Sequence, residues 1–263
     1  MSPLAAILRQ IVENRRRKVE AEMGKGLPPK AQPEPERSVE NDFTTSLRRH
    51  RGRALIAEVK MGSPRIGSLQ GRLDPLRQAE VYAQNGAAAL SVVVEPDYFF
   101  GSYELLVECR SHSGLPTLAK DFVVHPIQLQ WAREAGADAV LLIAALFSDI
   151  ELAAYANHAR TLGLVPLIET HDTTDVARLS DAAWEIVGVN NRDLETFEVD
   201  LDNSMELANG LPEGSLKASE SGITGARDLD RLAEAGFDAF LVGESLLLAD
   251  DPGRKLQELL GRS

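Results

Sequence analysis

The chain has 263 residues, with 28 Lys and Arg against 40 Asp and Glu, a formal net charge of −12. Its single cysteine excludes a disulfide framework and a four-thiolate zinc site, and the acidic balance argues against nonspecific nucleic-acid binding. No apolar run reaches the roughly 18 residues that span a bilayer, and the opening MSPLAAILRQIVENRRRK has no signal-peptide apolar stretch; a soluble, cytoplasmic protein without membrane or nucleic-acid partners is expected.

Leu4 to Met23 read as an amphipathic helix. Leu4, Leu8, Ile11 and Val19 recur at helical spacing, and Arg15 to Lys18 form a cationic block. Pro28, Pro29, Pro33 and Pro35 make Gly24 to Glu40 a linker or extended loop, and a short helix follows over Asp42 to Arg49. Residues 1–53 carry 12 basic and 7 acidic side chains, so a basic extension precedes an acidic body. An anion binding to that body must rely on a few placed cations and backbone N–H groups.

From Ala54 the pattern becomes rhythmic. Apolar runs that read as buried parallel strands end near Lys60, Val94, Lys120, Ile143, Glu169, Asn190, Ser219 and Val242. Each interval accommodates a loop, a helix and a return turn. Eight such runs predict α/β architecture in the form of a closed (β/α)8 TIM barrel with an N-terminal helical extension. Barrels of about 250 residues are single domains. The expected division is therefore residues 1–53 as an extension and linker packed on the barrel, and 54–263 as one catalytic domain. Similar turns at Ala135-Gly136-Ala137-Asp138 and Ala235-Gly236-Phe237-Asp238 precede the fourth and eighth strands, a faint half-barrel echo that shared turn chemistry would equally produce.

The chemistry sits where the strands stop. Lys60, Lys120, Glu169, Asn190 and Ser219 are polar residues closing otherwise apolar runs, and active sites of this barrel lie at the C-terminal strand ends. Glu58 and Lys60, two apart on a strand, point to the same side and read as an acid–base pair. Lys120 would face the same cavity, and two ammonium groups there would push one pKa down, suiting a lysine general acid. Glu169 adds a second carboxylate. Ser221-Gly222 after strand seven and Gly243-Glu244-Ser245 after strand eight offer backbone N–H groups to a phosphate, with Ser63 as a third contact. Phe99, Phe100, Phe122 and Leu194 fall in the mouth loops and could clamp an aromatic substrate. His158, Glu169 and His171 lack a suitably spaced third ligand, so no metal is expected. Cys109 falls inside a helix and reads as a packed thiol.

Seven motifs carry a family resemblance: AEVK-x-x-SP at Ala57 to Pro64, FFGSYE at Phe99 to Glu104, KDF at Lys120 to Phe122, PLIE at Pro166 to Glu169, G-x-NNRDL-x-TFEVD at Gly188 to Asp200, SESGI at Ser219 to Ile223 and VGESL at Val242 to Leu246. In this order they resemble indole-3-glycerol phosphate synthase of tryptophan biosynthesis. The resemblance implies a carboxy-lyase that converts 1-(2-carboxyphenylamino)-1-deoxyribulose 5-phosphate to indole-3-glycerol phosphate without cofactor or metal. It implies Lys120 as general acid, Lys60 on the substrate carboxylate and in later proton transfer, and Glu58 and Glu169 in acid–base work. Asn190 and Ser221 join the catalytic set. Ser63, Gly222, Gly243 and Glu244 would hold the phosphate, together with Ser221. Phe99, Phe122, Leu141 and Leu194 would line the anthranilate pocket, and Arg192 and Glu220 complete the substrate-binding set. The expected partner is this small anionic phosphorylated substrate, with a monomer or weak homodimer and contacts to other tryptophan-pathway enzymes left open. The first loop reads EVKMGSPRIG where the family commonly reads close to EVKKASPSKG, and Val94, Pro96 and Asp97 alter the second; these changes bear on loop motion.

Two other readings compete. A sugar-phosphate isomerase acting on phosphoribosylanthranilate would place a cysteine and an aspartate at strand ends, and Cys109 is misplaced for that. A noncatalytic phosphate-binding barrel or partner subunit would not need two lysines and two carboxylates at its mouth.

Overall fold

The computed structural model describes residues 6–23, 41–179, 183–193 and 198–262. The connection expected over Gly24 to Glu40, and Leu194, lie outside the described residues. Eight parallel strands form the barrel: β1 (Ala54–Val59), β2 (Ala89–Val93), β3 (Thr117–Lys120), β4 (Ala139–Ile143), β5 (Val165–Thr170), β6 (Ile186–Asn190), β7 (Leu216–Glu220) and β8 (Ala239–Val242). Each pairs with its chain neighbour, and β1 closes the ring on β8 from Ala54↔Ala239 to Ala57↔Val242. Every strand ends within one residue of the position expected from sequence.

The helices are α1 (Ala6–Glu22), α2 (Asp42–Arg49), α3 (Pro75–Gln84), α4 (Tyr103–Ser113), α5 (Ile127–Glu134), α6 (Asp149–Thr161), α7 (Thr173–Ala177), α8 (Asp202–Leu207), α9 (Ala226–Glu234), α10 (Glu244–Leu247) and α11 (Pro252–Leu259). Residues Gly62–Ser63 and Gly67–Ser68 form a small antiparallel hairpin after β1. No helix among the described residues is long and apolar enough to cross a membrane.

Strand periodicity sorts the side chains into two layers. Along β1, Leu55, Ala57 and Val59 face the surrounding helices, while Ala54 and Ile56 fill the barrel interior. The same parity puts Leu118, Leu141, Leu167, Ile186, Ala218 and Leu241 inside. Continued to the C-terminal strand ends, it carries Glu58, Lys120, Glu169, Asn190 and Glu220 to the open end on the interior side. The polar groups at the mouth are thus the last layer of the packed interior.

The other end is closed by α2. Asn41 caps this helix by accepting the Phe43 N–H, and Phe43 and Leu47, both fully buried, join the interior cluster. α1 runs beside the mouth, with Leu8 and Val12 packed on Phe122, Val124 and Leu146. The two echoing turns do the same work. Gly136 and Gly236 take positive φ, which costs glycine nothing. The following Asp138 and Asp238 each accept a backbone N–H from the preceding strand, Thr117 at 2.8 Å and Lys217 at 2.9 Å. The likeness of the two turns thus extends from their sequence to their hydrogen bonds.

Candidate active site

Lys120 ends β3 and its ammonium lies among carboxylates from three other strands. Nζ is 3.0 Å from Glu220 Oε2, 3.7 Å from Glu58 Oε2 and 3.9 Å from Glu169 Oε2. Lys60 donates to Glu58 Oε1 at 2.7 Å, as their same-side spacing requires. All three carboxylates are buried, and Glu220 is fully so.

This geometry corrects one expectation. Burial alone would lower the Lys120 pKa, but Glu220, Glu58 and Glu169 outweigh it and hold the group above its usual value. A second ammonium does not dominate, because Lys60 is itself paired with Glu58. Lys120 is therefore a charged acid with its proton in place. The carboxylates divide. Burial favours protonating Glu58, yet Lys60 and Lys120 keep its pKa below normal. Glu169 is also held low against burial, by His171, Lys120 and Asn190. Glu220 goes the other way: burial, helped by the neighbouring Glu169 charge, raises it despite Lys120.

A second correction concerns β7. Ser219, expected as the polar strand end, faces outward, where its hydroxyl meets Ser204 at 2.9 Å and accepts from Asn191 at 3.0 Å. The interior position belongs to Glu220. Asn190 Oδ1 accepts the Arg192 N–H at 3.0 Å, a turn that brings the Arg192 guanidinium 3.3 Å from Glu244 Oε2. Arg65 pairs with the other oxygen of Glu244. The Glu244 side chain thus faces two arginines, and its backbone stands beside Gly243.

The expected phosphate loops lie together. Ser245 Oγ donates to the Ile223 carbonyl at 2.9 Å, tying the loop after β8 to the loop after β7. Ser221 has φ 69°, in the left-handed region, and Asn191 Nδ2 donates to its carbonyl at 3.1 Å. Strained backbone of this kind, about 1–3 kcal/mol per residue, gathers at functional sites. A Cβ on Gly243 would sit 2.3 Å from Glu58 Oε1, so glycine there makes room for the acid–base pair. Ser63 accepts the Ile66 N–H at 3.3 Å and turns the first loop back.

An apolar wall faces these groups. The Phe99 and Phe122 rings lie 6.1 Å apart at 40°, and Leu141 is buried in the interior cluster against which Phe122 packs. Glu95 accepts the N–H groups of Asp97, Tyr98 and Phe99 and so sets the Phe99 loop.

Other candidates stand apart. Cys109 is buried in α4 with its thiol pushed up to about 12 by burial, which makes it unreactive. Among the described residues no group of three or more His, Cys, Asp or Glu could hold a metal ion. Two contributors were not placed by sequence reasoning. His171 Nε2 lies 3.2 Å from Glu169 Oε1; the signal was its spacing of two from Glu169. Arg15, read within a cationic block, is 1% exposed and makes a bidentate pair with Asp121.

A family model described as Indole-3-glycerol phosphate synthase matches residues 7–259. Relatives carrying that name include one from Koribacter versatilis, 42% identical over 83% of this chain and 85% of its own length. Another, from Carboxydothermus hydrogenoformans, is 44% identical over 78% of each chain. A third, from Polaromonas naphthalenivorans, is 37% identical over 98% of this chain and all of its own. Among solved structures, a mutant tryptophan synthase α-subunit from Pyrococcus furiosus aligns with TM-score 0.60 at 15% identity, over 81% of this chain and 99% of that one. A thiamine phosphate pyrophosphorylase from the same organism aligns with TM-score 0.58 at 14% identity, over 81% of this chain and 96% of that one. These structural likenesses speak for the barrel alone.

Proposed function

The chain belongs to the indole-3-glycerol phosphate synthase family, and from that premise we propose how its residues divide the reaction. The activity is ring closure, decarboxylation and dehydration of 1-(2-carboxyphenylamino)-1-deoxyribulose 5-phosphate to indole-3-glycerol phosphate. That makes the enzyme a carbon–carbon lyase. The observation that carries the assignment of roles is the single ammonium of Lys120 ringed by Glu58, Glu169 and Glu220.

In the first step the aromatic carbon bearing the carboxylate attacks the ribulose carbonyl, and the carbonyl oxygen takes a proton. Lys120, held protonated, is the acid. Lys60 pairs with the substrate carboxylate until carbon dioxide leaves and the ring electrons return. In the dehydration the anilino nitrogen pushes out the new hydroxyl, which needs a proton, and a proton must be removed from the ring methylene beside that nitrogen, the former ribulose C1. Lys60, Glu58 and Glu169 supply these transfers and stabilise the intermediate cation. Asn190 and Ser221 orient the substrate, with Arg192 and Glu220 completing the polar surround. Ser63, Ser221, Gly222, Gly243 and Glu244 hold the phosphate, the last two through backbone N–H groups. Phe99, Phe122 and Leu141 enclose the anthranilate ring, and the motif resemblance assigns Leu194 to the same pocket.

Residues 1–53 serve as an extension packed on the barrel and 54–263 as the catalytic domain, a division supported by the α1 contacts to Phe122 and Asp121. The enzyme works in the cytoplasm as a monomer or weak homodimer, on one small anionic substrate. Incubation of the purified protein with the carboxyphenylamino-deoxyribulose phosphate, followed by indole absorbance and fluorescence, tests the reading. Product formation that disappears in Lys120→Ala is expected; full activity of that variant overturns the assigned mechanism.

A further inference from the structure

His171 follows β5 and lies between two acids. Its Nε2 is 3.2 Å from Glu169 Oε1 and its Nδ1 is 3.8 Å from Asp175 Oδ2. Asp175, on α7, is fixed in turn: it accepts the His171 N–H at 3.1 Å, its own N–H goes to Asp172 at 2.8 Å, and Arg178 stands 3.6 Å away. Asn203 of α8 donates to the His171 carbonyl at 3.1 Å. Beyond Glu169 come Lys120 on β3 and Asn190 on β6. The imidazole is nearly buried, with 11% of its side chain exposed. These are the charged and titratable groups that face it among the described residues.

The contact is one-sided. Glu169 places Oε1 at ion-pair distance from His171 and Oε2 near Lys120, whereas Glu220 meets only Lys120, through Oε2; the buried Glu220 Oε1 makes no hydrogen bond, and the His171 ring nitrogens meet their two acids as charge contacts, not as aligned hydrogen bonds. We propose that His171 is a positioning residue that fixes Glu169 as the ionised, oriented member of this carboxylate pair and leaves the pair's proton with Glu220. The proposal rests on the catalytic reading of Glu169 given above. It is consistent with the flanking acids raising His171 to about 9 against the effect of burial, so that the ring is an imidazolium near neutral pH. Two buried carboxylates sharing one ammonium cannot both stay charged cheaply, and a cation touching only one of them decides which does.

The pH dependence of kcat and KM for His171→Asn, His171→Gln and Glu169→Gln tests this. His171→Asn should lower kcat about tenfold and keep KM within about twofold. It should also move the acid limb upward by about one pH unit, because Glu169 without the imidazolium protonates sooner. His171→Gln, which can present an uncharged N–H to Glu169, should restore part of kcat but leave the acid limb displaced. An acid limb in His171→Asn that coincides with the parent's overturns the proposal, even if the variant is less stable. Full activity of Glu169→Gln would remove the underlying catalytic reading; an inactive Glu169→Gln beside a parent-like His171→Asn profile removes only the role of His171. If His171→Asn does not fold, histidine-ring NMR of the parent decides: a ring charged at pH 7.5 that loses its proton near 9 supports the proposal, and a ring neutral at pH 7 refutes it.

Discussion

Lys120 shows how little a residue's type says about its state. As one of two lysines at the mouth it invited a lowered pKa; among three carboxylates it holds its proton more firmly than a free lysine. Lys120→Ala should cost at least about a hundredfold in kcat. Lys120→Arg should keep the charge but not the activity, since a guanidinium does not give up its proton; steady-state kinetics of both variants check this. Gly243→Ala should also reduce kcat, because its Cβ would meet Glu58 Oε1 at 2.3 Å and displace that group from Lys60. The fold should survive, as read by circular dichroism. His171 makes a pH prediction for stability. Its folded pKa, about 9, lies above the ordinary 6.5. The stabilisation it brings is complete below about pH 6.5 and is lost as pH rises through about 9. His171→Asn should therefore lower the thermal midpoint clearly at pH 6 and little at pH 10.

At the scale of elements, the extension is tied to the mouth through a buried ion pair. Arg15 of α1 grips Asp121 at 2.6 and 3.0 Å, and Asp121 also accepts from Gln128, Tyr103 and the Phe122 N–H. Asp121 sits between Lys120 and Phe122, so α1 braces an acid and a wall residue at once. Lys18 and Asn14 of the same helix hold Asp97, two residues before Phe99. Removing one partner of a buried pair is costly. Arg15→Met should destabilise by about 3–5 kcal/mol, and adding Asp121→Asn should recover much of that, because a neutral pair has less to desolvate; urea unfolding of the single and double variants measures both. The helix was legible from its period, since Leu8, Ile11 and Val19 all turned out buried. The burial of Arg15 was not, because its partner lies 106 residues away.

For the whole molecule, charge and closure matter most. A net charge of −12 opposes the approach of an anionic substrate, and salt at 0.15 M screens beyond about 8 Å. Stopped-flow association should thus quicken between about 20 and 150 mM salt; slowing would mean that the local cations at the mouth dominate. By itself the sequence determined the number of strands, their spacing and four of the polar residues at their ends. Each of those is written locally, in an apolar run and the turn that stops it. The family followed from motifs in register, for the same reason. Only the tertiary structure decided that Glu220 and not Ser219 faces the interior, that three acids converge on Lys120, and that His171 touches one of them. Strand parity near an end can slip by one residue in a sequence reading, which reverses the face. A pKa or an ion pair, moreover, depends on neighbours that only barrel closure brings within 4 Å.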